Sequence, residues 1–370
     1  MKRAHIWTVA GEAALAVSLA DSMFLSVSPD AARGKVLAFL AFSFAPFVVL
    51  AQFIGPFLDR TPGGRRVTIV VLSFARAGLM VAIMKWIDSL TLFALMFVVL
   101  VLAKVYSVSR SAVMPTVVPS SDHLMAANGQ VGRLTGVVGI LAGGPAALLQ
   151  VIDSRVSLAF AATCFVLAGI LALSLPRGVA GARTPESALE RTELHLPVVT
   201  RAGLVMAALK VANGFLFFHL AFWLRTEKAG TAWFALALAV GSIATLVANS
   251  LAGVVRRVVR EHVVLEVSLV VVAVVGLASA YVGSITAGIV LTGVIYAVGS
   301  LGKLAFESVL QTNAPDANRS RAFARYETRN QLAQVAGGFV AVALTPSGPV
   351  GFAIVGVVGL VAAVTYAVRY

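Results

Sequence analysis

"GPFLDRTPGGRR", residues 55–66, sets three arginines, an aspartate, two prolines and three glycines between two strongly apolar runs. The composition builds a sharp turn. Pro62-Gly63-Gly64 forces a turn, so the next helix starts at once. Gly55 ends the helix before it and lets a neighbouring backbone come close. Asp59 lies by a helix end, while Arg60, Arg65 and Arg66 reach carboxylates or the ends of adjacent helices.

The apolar runs on either side are typical of the whole chain. Its 370 residues are 59% hydrophobic and 12% charged, with a mean hydropathy of +0.94. A soluble domain carries about 25% charged residues. Apolar stretches of about twenty residues recur along the chain, each long enough to cross a bilayer. This composition is that of a polytopic membrane protein. The runs are continuous and rich in Ala, Val, Leu and Gly, which excludes the alternating pattern of a β-barrel.

Spans are expected near 6–27, 35–58, 67–87, 90–110, 124–149, 155–175, 202–224, 231–254, 262–282, 284–308, 322–344 and 349–368, about twelve in all. Glu12 and Asp21 break the apolar part of the N-terminal stretch and no small-residue cleavage site follows, so it reads as an uncleaved first span. With the N-terminus inside, the inner segments hold about fifteen Lys and Arg and the outer loops about six. Both termini are then cytoplasmic. The longest polar stretch, "PRGVAGARTPESALERTELHLPVVTR" (176–201), divides residues 1–175 from 202–370 as a linker between two six-span halves. Lys104, Pro119 and Arg133 recur as Lys303, Pro315 and Arg329 at an offset of about two hundred residues, as parallel repeats would give.

On that frame the 55–66 loop joins the second and third spans on the cytoplasmic side. It reads either as a latch that holds the two halves in one conformation or as basic residues that only fix topology. The stretch resembles the G-x-L-x-D-R-x-G-R-R/K signature of the major facilitator superfamily. Gly55, Asp59, Arg60, Gly64, Arg65 and Arg66 take its places, with one extra residue in the turn. The resemblance implies an all-α integral membrane protein of about twelve helices in two pseudo-symmetric six-helix bundles. It also implies a conformational latch at these residues, with Arg110 at the end of the fourth helix. The second half's counterpart, "GVVRRVVREH" (253–262), is basic but has no aspartate.

A second stretch, "KVYSVSRSAVMPTVVPSSDHLMAANGQVGRLTGVVGILAGGPA" (104–146), resembles the fourth-to-fifth helix region of exporter-type members. Arg110-Ser111-Ala112, Pro115, Ala127-Asn128 and Gly144-Pro145 carry that likeness. Multidrug and siderophore exporters and lysophospholipid flippases share the pattern. The glycine spacing before Gly144-Pro145 departs from the antiporter signature.

An ionisable side chain at membrane depth costs at least ~2.5–3.5 kcal/mol, so each asks for an explanation. Candidates for a substrate or proton cavity are Glu12, Asp21, Arg76, Lys104, Arg133, Lys210, Asn213, His219, Lys303 and Glu307. Lys303 and Glu307 are four apart on one helix face and pair within the helix. Arg76, Arg133, Asp21 and His219 lie deepest, and an excess of positive groups points to an anionic or zwitterionic substrate. The competing reading for each is a structural ion pair, snorkelling to the headgroups, or, for His219, packing.

A phosphate loop, metal-ligand spacing and a nucleophile beside a base are all missing from the sequence, so neither an enzyme nor an ATP-driven pump is expected. No cofactor or metal is called for. The net charge of +13 is spread over span ends and alternate loops and does not form a nucleic-acid face. The function expected is a monomeric secondary transporter of the plasma membrane. It would rock its halves to export a small amphipathic or drug-like molecule against protons, carried by Glu12, Asp21 or His219. A lysophospholipid flippase of the same fold is the alternative, and a non-transporting sensor or assembly protein is the alternative of another class.

Overall fold

The computed structural model describes residues 2–19, 64–89, 91–118, 123–174, 197–227, 231–313 and 319–368. The described residues form eleven helices and no strand. They are α1 (Lys2–Ser18), α2 (Gly64–Trp86), α3 (Thr91–Val117), α4 (Leu124–Ile152), α5 (Ser154–Ala172), α6 (Pro197–Thr226), α7 (Thr231–Val258), α8 (Glu261–Val282), α9 (Ile285–Asn313), α10 (Arg319–Leu344) and α11 (Gly348–Val368). Nine of these are long and apolar enough to cross a membrane, and the chain is a multi-pass membrane protein. The other two are α1, described over 17 residues, and α10, whose first turns carry Arg319, Arg321, Arg325, Glu327 and Arg329.

Local chemistry sets the helix limits. Between α4 and α5 a single residue, Asp153, reverses the chain. Its backbone is extended and its carboxylate accepts from the Arg155 N–H at 2.6 Å, which satisfies one of the donors a helix start leaves open. Between α8 and α9, Gly283 takes φ +64°, the left-handed conformation that ends helices. Ser284 then accepts from the Ala287 N–H at 3.1 Å. Helix α6 begins at Pro197, inside the expected linker, because a proline at the first helical position gives up an N–H that would have no partner there. The linker therefore yields its last five residues to α6, and residues 175–196 lie outside the described residues.

The two halves pack by the same plan. In the order of the expected spans, first meets fifth (α1 with α4, α6 with α10). Third meets sixth (α2 with α5, α8 with α11), and third meets fourth (α2 with α3, α8 with α9). Across the halves, α4 touches α7 and α9, and α3 touches α10 and α9.

Those crossing contacts gather at one end, here called the linker end. It holds the start of α1, the end of α5 and the start of α6. Gly129 lies against Ala252 and the Asn249 carbonyl, Gly132 against the Asn249 side chain, and Gly136 against Leu246. Beyond Gly136 the two helices part. At Gly139, Gly143 and Gly144 an added Cβ would meet no described atom within 4 Å. The apolar core follows the same division. Ala4, Ile69, Val105, Val108 and Met125 of the first half share one cluster with Met206, Leu209, Leu304 and Phe323 of the second. Leu15, Met80, Leu92, Met96 and Phe165, toward the far end, form a separate cluster inside the first half.

Candidate functional site

Between the halves lies a cavity of about 1020 Å³, walled by α1, α2 and α3 with α4 on one side and by α6, α7 and α9 with α10 on the other. Of the residues expected to line a cavity, Glu12, Arg76, Lys104, Lys210, Asn213, Lys303 and Glu307 all stand on this wall. They come together because each sits on the stripe of its helix that faces the opposite half.

Two candidates lie elsewhere. Arg133 is exposed on α4 and is absent from the cavity wall. Its neighbours Gly132 and Gly136 occupy the face that meets α7, and that turns Arg133 away from it. His219 is buried to 1% exposure inside the second half. It stacks on Trp223 with ring centroids 6.0 Å apart and meets Phe352 edge-on at 5.6 Å. It is a packing residue in this structure. Asp21 lies outside the described residues.

The residues of the 55–66 loop divide similarly. Gly55, Asp59 and Arg60 lie outside the described residues, as does the Arg65 side chain. Gly64 is the first residue of α2. Arg66 donates to the Leu173 carbonyl at the end of α5, within the first half. Arg110, expected in the latch, stands on the cavity wall. Its Nη1 is 3.5 Å from His5 Nε2.

The charges are arranged in pairs of unequal quality. Arg76 Nη2 donates to Glu12 Oε1 at 2.9 Å, and the guanidinium lies 4.2 Å from the centre of the Phe165 ring. The arginine is 2% exposed and the glutamate 40%, so Glu12 offers its free side to the cavity. Lys303 faces Glu307 at 3.7 Å and Lys104 faces Glu327 of α10 at 3.9 Å. Lys210 donates to the Gln334 side-chain oxygen at 3.3 Å. Counted along the wall, Arg76, Lys104, Arg110, Lys210 and Lys303 outnumber Glu12 and Glu307.

Neutral polar residues complete the wall, and these the sequence reading passed over. His5 is buried at 4% exposure. Its Nδ1 is 3.0 Å from the Tyr106 hydroxyl and its Nε2 3.0 Å from Thr135 Oγ1. Thr135 also donates to the Val131 carbonyl, and Arg110, which can only donate, faces the same His5 Nε2. Ser300 donates to Asn249 at 2.7 Å. At the linker end, Asn128 donates to Gln311 Oε1 at 2.8 Å, and Gln311 Nε2 donates to the Ser111 carbonyl at 3.1 Å. The signal that would have found them is an amide side chain well inside an apolar helix, as uncommon there as a charge.

No family model matches the chain. It is 26% identical to the uncharacterized protein ML2143 of Mycobacterium leprae over an alignment of 381 residues, which covers 92% of this chain and 66% of that protein. It is 33% identical over 140 residues to the uncharacterized protein Rv0876c of Mycobacterium tuberculosis, covering 36% of this chain and 25% of that one. The chain thus spans about two thirds of the first relative's length and aligns with a quarter of the second's.

Among solved structures it resembles FucP, the fucose:proton symporter of E. coli (TM-score 0.75, 13% identity, 100% of this chain and 97% of that one). It also resembles the human organic anion transporter MFSD10 (0.74, 14%, 99% and 97%). A third likeness is to a bacterial homologue of the iron transporter ferroportin in its outward-facing state (0.72, 17%, 99% and 96%). Full-length likeness to three proteins with such different cargoes establishes architecture and leaves cargo open: this chain has the major facilitator fold.

Proposed function

We propose that the protein is a secondary transporter that carries a small anionic or zwitterionic amphipathic molecule by rocking its two halves about the central cavity. The observation that supports this is the cavity itself, placed between two similarly packed halves, closed at the linker end and parted beyond Gly136. Binding at the interface of two repeats is what alternating access requires. The excess of cationic side chains on its wall favours a substrate that brings negative charge. The organic anion transporter among the similar structures fits this reading.

The further details belong to the same proposal. The linker end is cytoplasmic, the membrane is the plasma membrane, transport runs outward, and protons drive it. Glu12 is the proton carrier on this reading, because a proton on its carboxylate would release Arg76. Asp59 latches the closed state.

Flux into proteoliposomes tests the proposal. Uptake of an organic anion should require the protein and should change when a pH gradient is imposed. Asp59→Asn should slow it with expression intact. Absence of flux for every organic anion and zwitterion tried, with or without the gradient, would favour a non-transporting role.

A further inference from the structure

At mid-depth the cavity carries a cluster of charges drawn from four helices and both halves. Lys104 stands 13 residues from each end of α3, about 20 Å of helix either way. Lys210 is likewise near the centre of α6. Lys303 and Glu307 come from α9 and Glu327 from α10. Lys104, Lys210, Lys303 and Glu307 all line the same cavity.

Among the described residues, three lysines of this cluster meet two glutamates. The Lys303–Glu307 pair, at 3.7 Å, is long beside the roughly 2.7–2.9 Å of a close charge-assisted hydrogen bond. The side-chain partner of Lys210 is a neutral amide. An ammonium has three donors to place, and a net positive charge at this depth is expensive to hold. A purely structural network would be expected to close its pairs and balance its charge. A site that waits for an anion would do neither.

We infer that Lys104, Lys210 and Lys303 form the binding site for an acidic group of the substrate, a carboxylate or a phosphate monoester, and that Glu327 is the counter-ion this group displaces from Lys104. The inference rests on the transporter reading for its purpose, though not for its test, which needs binding alone. It has a mechanical consequence. The Lys104–Glu327 pair joins α3 to α10, so an anion that takes over Lys104 removes one of the links between the halves.

The test uses the full chain purified in detergent and four probes built on one ring: benzoate, phenyl phosphate, benzylammonium and benzyl alcohol. A ligand that binds the folded form alone raises its melting temperature. Benzoate or phenyl phosphate should raise it and the other two should not, and the stronger of the two anions tells carboxylate from phosphate recognition. Lys210→Gln and Lys303→Gln should each weaken the better anion roughly tenfold or more, since each removes a charge-assisted bond. Lys303 is 46% exposed, so its variant keeps the test alive should Lys210→Gln fold poorly.

Glu327→Gln separates the site from a structural network. Removing the competing carboxylate should tighten the anion several-fold, whereas a carboxylate that only braces the lysines would make its loss weaken binding. The inference fails if benzylammonium stabilises as well as the anions do, if neither anion shifts the melting temperature, or if Lys303→Gln binds like the parent. Flux that survives any of these results would leave alternating access standing and remove the site alone.

Discussion

Asn128 and Gln311, 183 residues apart in sequence, share a buried hydrogen bond of 2.8 Å that ties α4 to α9. Gln311 extends the tie by donating to the Ser111 carbonyl of α3. One side chain of the second half thus holds two helices of the first, at the end where the cavity is closed. A movement that opens this end must break both bonds and leave their groups to find water.

Gln311→Ala should therefore favour the state open at the linker end. Removing one partner of a buried hydrogen bond costs about 1–3 kcal/mol, which shifts a two-state equilibrium by roughly 5- to 150-fold. Spin labels on the linker-end tips of α4 and α9 should report a longer distance becoming populated. A distance distribution identical to the parent's would show that these amides do not hold the closed end.

The Arg76–Glu12 pair makes a different prediction. Arg76 is 2% exposed and its Nε has no partner among the described residues, so it depends on Glu12 and on the face of Phe165. Glu12→Ala leaves that guanidinium buried without its counter-charge and should destabilise the protein by about 3–5 kcal/mol. Replacing Arg76 with leucine in the same chain should restore part of the loss, because the orphaned charge goes with it. Thermal unfolding of both single variants and the double variant measures this. Strictly additive losses would mean that the two side chains do not act as a pair.

These two cases mark what the sequence could and could not yield. The all-helical membrane fold was legible, and seven of the candidate residues fall on the cavity wall, because a polar group within twenty apolar residues is conspicuous and membrane burial leaves few explanations for it. Which face each charge takes was not legible. Arg133 and Arg76 look alike in sequence, each a lone arginine deep in a span. Arg76 turns inward to Glu12, while glycines on α4 claim the inner face and leave Arg133 outside. His219 was lost to packing for a similar reason, since Gly351 makes room for it inside the second half. The amide seal was missed because only the fold shows that Asn128 and Gln311, 183 residues apart, meet each other.

Helix α6 approaches α10 closely enough that two glycines are needed, and this contact positions Lys210 beside Gln334. A Cβ at Gly214 would run into the Gln334 carbonyl, and one at Gly337 into the Val211 carbonyl. These are backbone atoms, which cannot swing aside as a flexible side chain can. Gly337→Ala should force the helices apart at a cost of about 1–3 kcal/mol or more and carry Gln334 away from Lys210. The expected result is a lower melting temperature together with weaker anion binding. Unchanged stability would show that the helices have room the structure does not reveal.

His219 separates a buried histidine that packs from one that works. Phe215, Trp223 and Phe352 surround it. Its Nε2 is buried without a hydrogen-bond partner among the described residues. His219→Leu removes a buried unsatisfied polar atom and keeps an apolar side chain among the same rings, so the net cost should be small, on the order of 1 kcal/mol. The variant should transport with the same pH profile as the parent, because His219 is not among the residues that line the cavity. Glu12→Gln, which removes the carboxylate proposed to carry the proton, should flatten that profile. If His219→Leu flattens it instead, the proton travels through the second half and Glu12 has only a structural part in transport.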